Sequence, residues 1–195
     1  MTLETPPLIL SIQSHVAWGH VGNAAAVFPL QRLGFEVLPV HTVQFSNHTG
    51  YGQFRGQVFG ADHIREIIAG LRERGVLQRV SAVLSGYLGD AGTGAVILDA
   101  VGEIRRENPA VRYLCDPVMG DVGRGVFVNP AIPDFLRDQA MPNANIITPN
   151  QFEFELLTGS KPASVAEAVR TARLLRGRGP DTVVVTSLAL SLIHI

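Results

Sequence analysis

The chain has 195 residues, of which 46% are hydrophobic and 17% charged, so it is long and apolar enough to bury a core and is not a disordered chain. Its formal net charge of −1 provides no general attraction for nucleic acid or an anionic membrane, and we expect neither as a partner. No apolar run reaches the length of a membrane span and the single cysteine excludes an internal disulfide, so we expect a cytoplasmic protein.

Apolar runs of strand length alternate with helical patterns along the chain. In chain order, the first half predicts strand Leu8–Gln13, helix Val21–Leu33, strand Glu36–Val43, polar loop Ser46–Gly56, helix Asp62–Arg74 with Asp62 as N-cap, strand Ala82–Ser85 and helix Ala91–Glu107. The second half predicts strand Arg112–Cys115, glycine-rich loop Gly120–Gly125, helix Pro130–Gln139, strand Asn145–Ile147, helices Gln151–Thr158 and Ser164–Arg176, and strand Thr182–Val185. This alternation predicts an α/β fold with a mostly parallel central sheet and helices on both faces, in one domain over residues 1–188.

Polar and aromatic residues follow the first three predicted strands. Ser14 comes directly after the first strand, where it can donate to a ligand or merely cap the turn. The segment Thr42–Gly52 interleaves polar and aromatic residues, which suits a flat heteroaromatic ligand but also an ordinary surface loop. Tyr87 stands among glycines after the third strand, where a ligand contact and core packing are both open.

Oxygen-bearing side chains follow the next two strands. Asp116 can bind a metal or form an Asx turn before a proline, and Arg124 lies in a glycine-rich loop that can close over a nucleotide or simply be flexible. The segment Thr148-Pro149-Asn150, with Glu153 one turn later, offers a hydroxyl, an amide and a carboxylate. Such a set suits a hydrated Mg²⁺ beside phosphates, although Asn150 as a plain N-cap explains the same residues.

Two common nucleotide-binding motifs are missing from the sequence. Lys161 is the only lysine, and its surroundings do not match the Gly-x-x-x-x-Gly-Lys-Ser/Thr phosphate loop. The spacing of Gly19 and Gly22 does not match the Gly-x-Gly-x-x-Gly dinucleotide fingerprint, which counts against a nucleotide-dependent oxidoreductase.

Taken together, these segments resemble the pyridoxal kinases of the ribokinase-like superfamily. The resemblance covers nearly the whole chain, and its stretch Thr-Val-Gln-Phe-Ser-Asn-His-Thr is highly specific. The matching segments are Ile12–His15, Gly19–Asn23, Thr42–Tyr51, Leu84–Gly89, Cys115–Gly120, Ile146–Leu157 and Gly179–Ser187.

The resemblance implies ATP-dependent phosphorylation of the 5′-hydroxymethyl group of pyridoxal, with pyridoxine and pyridoxamine as further substrates, in a homodimeric enzyme. It implies that Ser14 hydrogen-bonds the pyridine ring and that His48, Thr49, Gly50 and Tyr87 form the rest of the vitamin pocket. The residues implied on the ATP and cation side are Asp116, Arg124, Thr148, Asn150, Glu153, Thr186 and Ser187. Of these, Asp116, Thr148 and Glu153 are implied to bind Mg²⁺, with a monovalent cation such as K⁺ beside the phosphates.

One family feature has no match in these residues. The family carries a Gly-x-Gly-Asp segment whose N–H groups form an anion hole and whose aspartate is the catalytic base. The nearest candidate, Gly177–Asp181, precedes a predicted strand and is in the wrong context. We therefore expect a C-terminally truncated pyridoxal kinase without its general base, which would be inactive, with residues 189–195 as an aberrant tail.

Two other functions stay open at this point. A hydroxymethylpyrimidine or hydroxymethylpyrimidine-phosphate kinase shares the sheet and the chemistry, although the His48-Thr49 loop favours pyridoxal. A non-catalytic module that binds the vitamin or a nucleotide is consistent with the unmatched catalytic segment. A competition assay between the two vitamins, and a test for ATP consumption, would separate these alternatives.

Overall fold

The computed structural model describes residues 6–188. The chain divides into two compact units, Met1–Tyr113 and Leu114–Ile195. Within residues 6–188, no helix combines the length and the apolar character that crossing a membrane requires. The expectation of a single domain over residues 1–188 stays a prediction, and the expected aberrant tail, residues 189–195, lies outside the described residues.

The first unit alternates strands and helices. Its elements are β1 (Leu8–Trp18), α1 (Asn23–Arg32), β2 (Glu36–Asn47), a 3-10 turn (Thr49–Tyr51), β3 (Gly56–Val58), α2 (Ala61–Glu73), a second 3-10 turn (Leu77–Arg79), β4 (Val80–Ser85) and α3 (Thr93–Glu107). The strand order is β3-β2-β1-β4. Strand β1 runs parallel to both β2 and β4, whereas the short strand β3 is antiparallel to β2.

Strand β1 is the centre of the first unit. All residues from Leu8 to Gln13 are buried, and because neighbouring side chains of a strand point to opposite faces, both faces of β1 are covered. Helix α1 packs on β1 and β2, while α2 and α3 pack on each other. Helix α3 buries an apolar stripe at helical spacing, with Ile97, Val101 and Ile104 almost without exposure.

The second unit contains shorter elements. Strand β5 (Arg112–Cys115) enters it with Leu114, followed by β6 (Gly120–Asp121), β7 (Gly125–Val126), α4 (Ala131–Phe135), a π-helical turn (Leu136–Ala140), α5 (Met141–Asn143), β8 (Ile146–Ile147), α6 (Gln151–Thr158), α7 (Val165–Arg176) and β9 (Thr182–Val183). Strand β8 is parallel to β5 and to β9, and β6 forms an antiparallel hairpin with β7. Cys115, Ile147 and Phe154 are buried.

The predicted α/β class with mostly parallel strands is confirmed, but the predicted ends of the first two strands come several residues too early. Strand β1 continues past Gln13 to Trp18, and β2 continues past Val43 to Asn47, so residues predicted to lie in loops are strand residues. The strands continue because Val16, Val43 and Phe45 are buried against one another and keep the pair together.

Three further expectations need correction. The N-cap of α2 is Gly60 and not Asp62, which lies in the first turn and forms an ion pair with Arg65. The predicted loop Gly120–Gly125 is the β6–β7 hairpin. The helix predicted to end at Gln139 continues to Asn143, because a π-helical turn joins α4 to α5 without a break.

Candidate functional site

Ser14 lies at a β-bulge. Gln13 pairs with His41 and the next pair of the ladder is His15 with Gln44, so two residues of β2 stand opposite Ser14 alone. Gly22, the residue before α1, has φ 53° and approaches Ser14 so closely that a Cβ there would overlap the carbonyl and hydroxyl oxygens of Ser14. A glycine at this position therefore allows α1 to begin directly against Ser14.

The side chain of Asn23 ties α1 to both strands beside the bulge. It is 2% exposed, and its Oδ1 accepts from the Ser11 hydroxyl at 2.7 Å. Its Nδ2 donates to the Val40 carbonyl oxygen at 3.0 Å and lies 3.3 Å and 3.5 Å from the carbonyl oxygens of Ser11 and Gln13. Because a buried amide needs such partners, Asn23 specifies how α1 meets the bulge that carries Ser14.

Two histidines pack together beside Asn23. The ring centroids of His15 and His41 are 4.5 Å apart, and Nδ2 of Asn23 lies 3.0 Å from Nδ1 of His41. Because the amide nitrogen donates, Nδ1 of His41 accepts and the imidazole is neutral in this arrangement. Burial lowers the pKa of His41, and the neighbouring His15 lowers it further. Nδ1 of His15 is itself buried without a hydrogen-bond partner among the described residues.

Three residues implied in the vitamin pocket share one turn. Thr49 and Gly50 lie in the 3-10 turn that follows β2, and His48 caps that turn by accepting the Gly50 N–H at Nδ1, at 3.3 Å. The His48 ring meets Tyr51 edge-on with centroids 5.6 Å apart. The turn therefore places an imidazole and a hydroxyl on neighbouring residues.

Tyr87 follows β4 and packs against the first unit's apolar cluster. This cluster contains Val16, Val43 and Phe45, and Tyr87 is half-buried against it. Burial raises the pKa of the Tyr87 phenol, so the hydroxyl stays protonated at neutral pH and can donate a hydrogen bond. The Tyr87 carbonyl oxygen accepts from the Thr42 hydroxyl at 2.6 Å.

A pocket of about 590 Å³ opens on the segment between β2 and β3, a size that suits a small molecule. Its lining residues are Ser46, Gly52, Gln53, Phe54 and Arg55. The implied vitamin-binding residues of the same segment, His48, Thr49 and Gly50, are not part of that lining.

In the second unit, Asp116 is held by Thr148. The Thr148 hydroxyl donates to Oδ1 of Asp116 at 3.0 Å, and the Thr148 N–H donates to the Cys115 carbonyl oxygen at 3.3 Å. Burial raises the pKa of Asp116, and the hydrogen bond from Thr148 opposes that shift because it favours the charged form. The structure thus brings together two of the three residues implied to bind Mg²⁺.

Glu153 is the third, and it is 3% exposed. Its Oε1 accepts from the Met119 N–H at 3.0 Å and its Oε2 from the Asn150 N–H at 2.9 Å. In return, Oδ1 of Asn150 accepts from the Glu153 N–H at 2.9 Å, which completes a capping box at the start of α6. Burial raises the pKa of Glu153 to about 7, and the nearby carboxylate of Asp116 acts in the same direction.

The other implied nucleotide-side residues lie at the edges of the second unit. Arg124 is exposed in the β6–β7 turn, with its guanidinium carbon 4.8 Å from the centroid of the Phe127 ring. Thr186 forms a parallel bridge with Asn150, and its N–H donates to the Pro149 carbonyl oxygen at 2.9 Å. Ser187 is the only described non-glycine residue with positive φ, at 52°.

Sequence reasoning missed the residues that support the implied site. Asn23 and Thr42 are buried polar residues with specific partners, and neither was predicted to have a role. The signal for Thr42 was its position inside the predicted strand Glu36–Val43, where a polar side chain needs a hydrogen-bond partner if the strand is buried. Asn23 has a weaker signal, its position directly after a glycine at a helix start.

Comparison with known proteins places these elements in a family. A family model described as phosphomethylpyrimidine kinase matches residues 64–192, more than half of the chain. The chain belongs to the phosphomethylpyrimidine kinase family. It is 57% identical over 96% of its length to the pyridoxal kinase PdxY of Deinococcus radiodurans, and 58% identical over 92% of its length to that of Rubrobacter xylanophilus. The predicted resemblance to pyridoxal kinases is confirmed.

Solved structures agree with this membership. Pyridoxal kinase from Leishmania donovani, in complex with ADP and pyridoxamine, superposes with a TM-score of 0.88 at 35% sequence identity, over 94% of this chain and 65% of that one. The chain spans 64% of the length of the Deinococcus relative and 62% of the Rubrobacter relative.

Proposed function

We propose that this chain forms the greater part of a kinase that transfers the γ-phosphoryl group of ATP to the 5′-hydroxymethyl group of pyridoxal. The observation that carries the proposal is the 57% identity to a pyridoxal kinase over 96% of the chain. The two sets of polar residues described above support it, since each lies within one compact unit and each suits one of the two substrates.

The first unit supplies the vitamin side of the proposal. Ser14, fixed at the bulge, would hydrogen-bond a polar atom of the pyridine ring, and the capped turn of His48, Thr49 and Gly50 would contact ring substituents. Tyr87, with its phenol protonated, offers an aromatic face and a donor. Pyridoxine and pyridoxamine are proposed as further substrates because they share the ring and the hydroxymethyl group.

The second unit supplies the nucleotide side. Asp116, Thr148 and Glu153 would hold Mg²⁺, and their oxygens fit an ion that takes one or two carboxylates together with phosphates and water. Within residues 6–188, no group of three or more His, Cys, Asp and Glu side chains could hold a metal ion, so phosphate and water oxygens would complete the coordination of Mg²⁺. When bound, Mg²⁺ would neutralise phosphate charge.

Four further residues of the second unit belong to the same proposal. The N–H groups at the start of α6, organised by Asn150, favour an anion, and Arg124 in the β6–β7 turn adds positive charge. Thr186, bridged to Asn150, and Ser187, held at positive φ, would present hydroxyl groups to the nucleotide and to K⁺.

Calorimetric titration tests the proposal directly. The chain is titrated with pyridoxal and, separately, with ADP and Mg²⁺. We expect each ligand to bind without the other, because its residues lie within one unit. The matched variants are Ser14→Ala, which should weaken pyridoxal alone, and Asp116→Asn, which should weaken ADP–Mg²⁺ alone. Absence of pyridoxal binding to the unmodified chain would contradict the proposal.

A hydroxymethylpyrimidine or hydroxymethylpyrimidine-phosphate kinase is the second candidate, because the family model that matches residues 64–192 is described as phosphomethylpyrimidine kinase. The same titration with hydroxymethylpyrimidine as competitor decides between them. Displacement of pyridoxal only at large excess of the pyrimidine supports the first proposal, and tighter pyrimidine binding supports the second.

We expect the 195-residue polypeptide by itself to bind both substrates without turning them over. None of its residues matches the Gly-x-Gly-Asp segment that the family resemblance requires for the anion hole and the base. A coupled assay for ADP release measures this. Turnover at a rate close to that of a full-length relative would show that residues in this chain supply those groups.

We also propose a homodimer in the cytoplasm. Trp18, Tyr51 and Phe54 are exposed aromatic residues of the first unit and offer apolar surface for association. Light scattering on the purified chain measures the oligomeric state. Fractionation of cells that express it tests the location.

A further inference from the structure

The bulge between β1 and β2 has a second consequence. Thr42 is one of the two β2 residues that stand opposite Ser14, and it is fully buried. Its hydroxyl does not serve the strand pair but reaches the loop after β4, where it donates to the Tyr87 carbonyl oxygen at 2.6 Å. The same residue therefore belongs to the bulge that carries Ser14 and to the support of Tyr87.

The loop that carries Tyr87 also approaches β2 closely at Gly89. Gly89, with φ 73°, lies so close that a Cβ there would be 2.8 Å from Cγ1 of Val43 and 3.2 Å from the Thr42 carbonyl oxygen. That carbonyl oxygen also accepts the Phe59 N–H at 2.9 Å. This hydrogen bond holds the Thr42 backbone in addition to the bond to Tyr87 and the close approach of Gly89. The Tyr87 main chain is thus held against a strand residue that has little freedom to move.

We propose that Thr42 is a positioning residue for the vitamin ring, acting through Tyr87. The inference rests on the proposed function, because it assumes that Tyr87 contacts the vitamin. By fixing the Tyr87 carbonyl relative to the bulge, Thr42 sets the spacing between Tyr87 and Ser14, the two residues proposed to contact the ring. Without the hydroxyl, a carbonyl that is partly buried loses its donor and the loop relaxes.

Thr42→Val removes the hydroxyl and nearly keeps the shape of the side chain. We expect it to weaken pyridoxal binding by about tenfold, the size that loss of one well-placed hydrogen bond gives. The affinity for ADP–Mg²⁺ should stay within about twofold of the wild-type value, because the residues proposed to bind it lie in the other unit. Thr42→Ser restores a hydroxyl and should recover pyridoxal affinity.

A matched control and a ligand-free readout separate this inference from the proposed function. Thr158→Val removes another threonine hydroxyl that donates to a carbonyl, that of Phe154 at 2.7 Å, and should leave pyridoxal affinity unchanged. The chain has three tyrosines, so fluorine NMR of 3-fluorotyrosine protein gives three resonances. Thr42→Val should shift the Tyr87 resonance and leave that of Tyr113 in place, whether or not pyridoxal binds.

The outcomes are distinct. An unmoved Tyr87 resonance, or wild-type pyridoxal affinity in Thr42→Val, overturns the role of Thr42. If Thr42→Val moves the Tyr87 resonance but the wild-type chain does not bind pyridoxal, the proposed function is overturned and the contact between Thr42 and Tyr87 is not. If Thr42→Val does not fold, Gly89→Ala pushes the same loop away from β2 and should give the same selective loss of pyridoxal binding; equal loss of both ligands would contradict positioning.

Discussion

Asn150 and Glu153 exchange two hydrogen bonds, each 2.9 Å long, across the first turn of α6. The Glu153 carboxylate uses its other oxygen to accept the Met119 N–H, so it joins α6 to the loop after β5. Asn150 reaches the next residue along the chain, the first of β6, by donating to the Gly120 carbonyl oxygen at 2.9 Å. The helix start is therefore organised by the chain's own side chains and backbone.

Substitution of Asn150 tests this organisation. Asn150→Ala should lower the free energy of unfolding by about 2 kcal/mol, because it removes the helix cap and the bond to Gly120. Asn150→Asp keeps the cap and loses only the bond to Gly120. Its free energy of unfolding should therefore lie between that of the wild type and that of Asn150→Ala. Urea unfolding followed by circular dichroism measures each value.

The control for this substitution is Ser164→Ala at the start of α7, where the serine accepts the Glu167 N–H at 3.2 Å and is exposed. It should cost about 1 kcal/mol or less. An Asn150→Ala effect no larger than that of Ser164→Ala would mean that the contact with Gly120 adds nothing.

Glu153 predicts a pH dependence of stability. Its pKa is about 7 in the folded chain and about 4.5 in the unfolded chain, so the folded state binds more protons between these values. Its contribution to stability is fully present below pH 4.5 and is lost as pH rises through 7. Between pH 4.5 and 7.5, the free energy of unfolding should therefore fall more for the wild type than for Glu153→Gln. The glutamine variant should be the less stable protein at every pH, because its amide group faces a backbone N–H. Identical slopes for the two proteins would show that Glu153 titrates normally.

His41 predicts the opposite dependence in the first unit. Its pKa is lowered by burial, so the unfolded state binds more protons just below pH 6.5 and stability is lost as pH falls from 6.5 toward the lowered value. Protonation would also place a proton where Asn23 donates. His41→Gln offers an uncharged acceptor and should remove this acid-side loss. Urea unfolding from pH 7.5 to 5 is the measurement, and an acid-side loss of the same size in His41→Gln would exclude His41 as its source.

Thr148 predicts a selective effect on the nucleotide. Thr148→Val removes the donor to Asp116, which should raise the pKa of Asp116 further and weaken ADP–Mg²⁺ by about tenfold, with pyridoxal unaffected. Thr182→Val is the control, since Thr182 also donates to a neighbouring aspartate, Asp181, but at an exposed position. Titration calorimetry measures the ADP–Mg²⁺ affinity of both variants. Equal effects of the two substitutions would show that Thr148 has no specific role in binding.

The sequence allowed the elements of this fold to be recognised, because strands buried on both faces and helices with apolar stripes have clear periodicities. The α6 helix and its Asn150 cap were predicted at the observed residues. The bulge was not, since the first predicted strand stopped before Ser14 and the pairing around Ser14 was not known. Register and bulges depend on contacts between segments distant in sequence, and periodicity alone carries no information on them.

The contacts of the implied site residues likewise could not be predicted from the sequence. The residue types at the strand ends could be read from the sequence, whereas the hydrogen bonds that hold Glu153 and Asp116 could not. Glu153 was expected on the ATP and cation side, and its hydrogen bonds from two backbone N–H groups were not foreseen. Asp116 was expected either as a metal ligand or in an Asx turn, and its bond from Thr148 joins two segments more than thirty residues apart.

Cys115 is the only thiol of the chain, lies 1% exposed at the end of β5 and directly precedes Asp116. A thiol reagent can reach it only when this strand end unfolds locally. The rate of labelling in native buffer therefore measures how often the backbone next to Asp116 unfolds. Saturation with nucleotide and Mg²⁺ should slow that rate in proportion to the ratio of ligand concentration to dissociation constant. The protein thus contains its own chemical probe of how rigid the proposed nucleotide side is before and after a ligand binds.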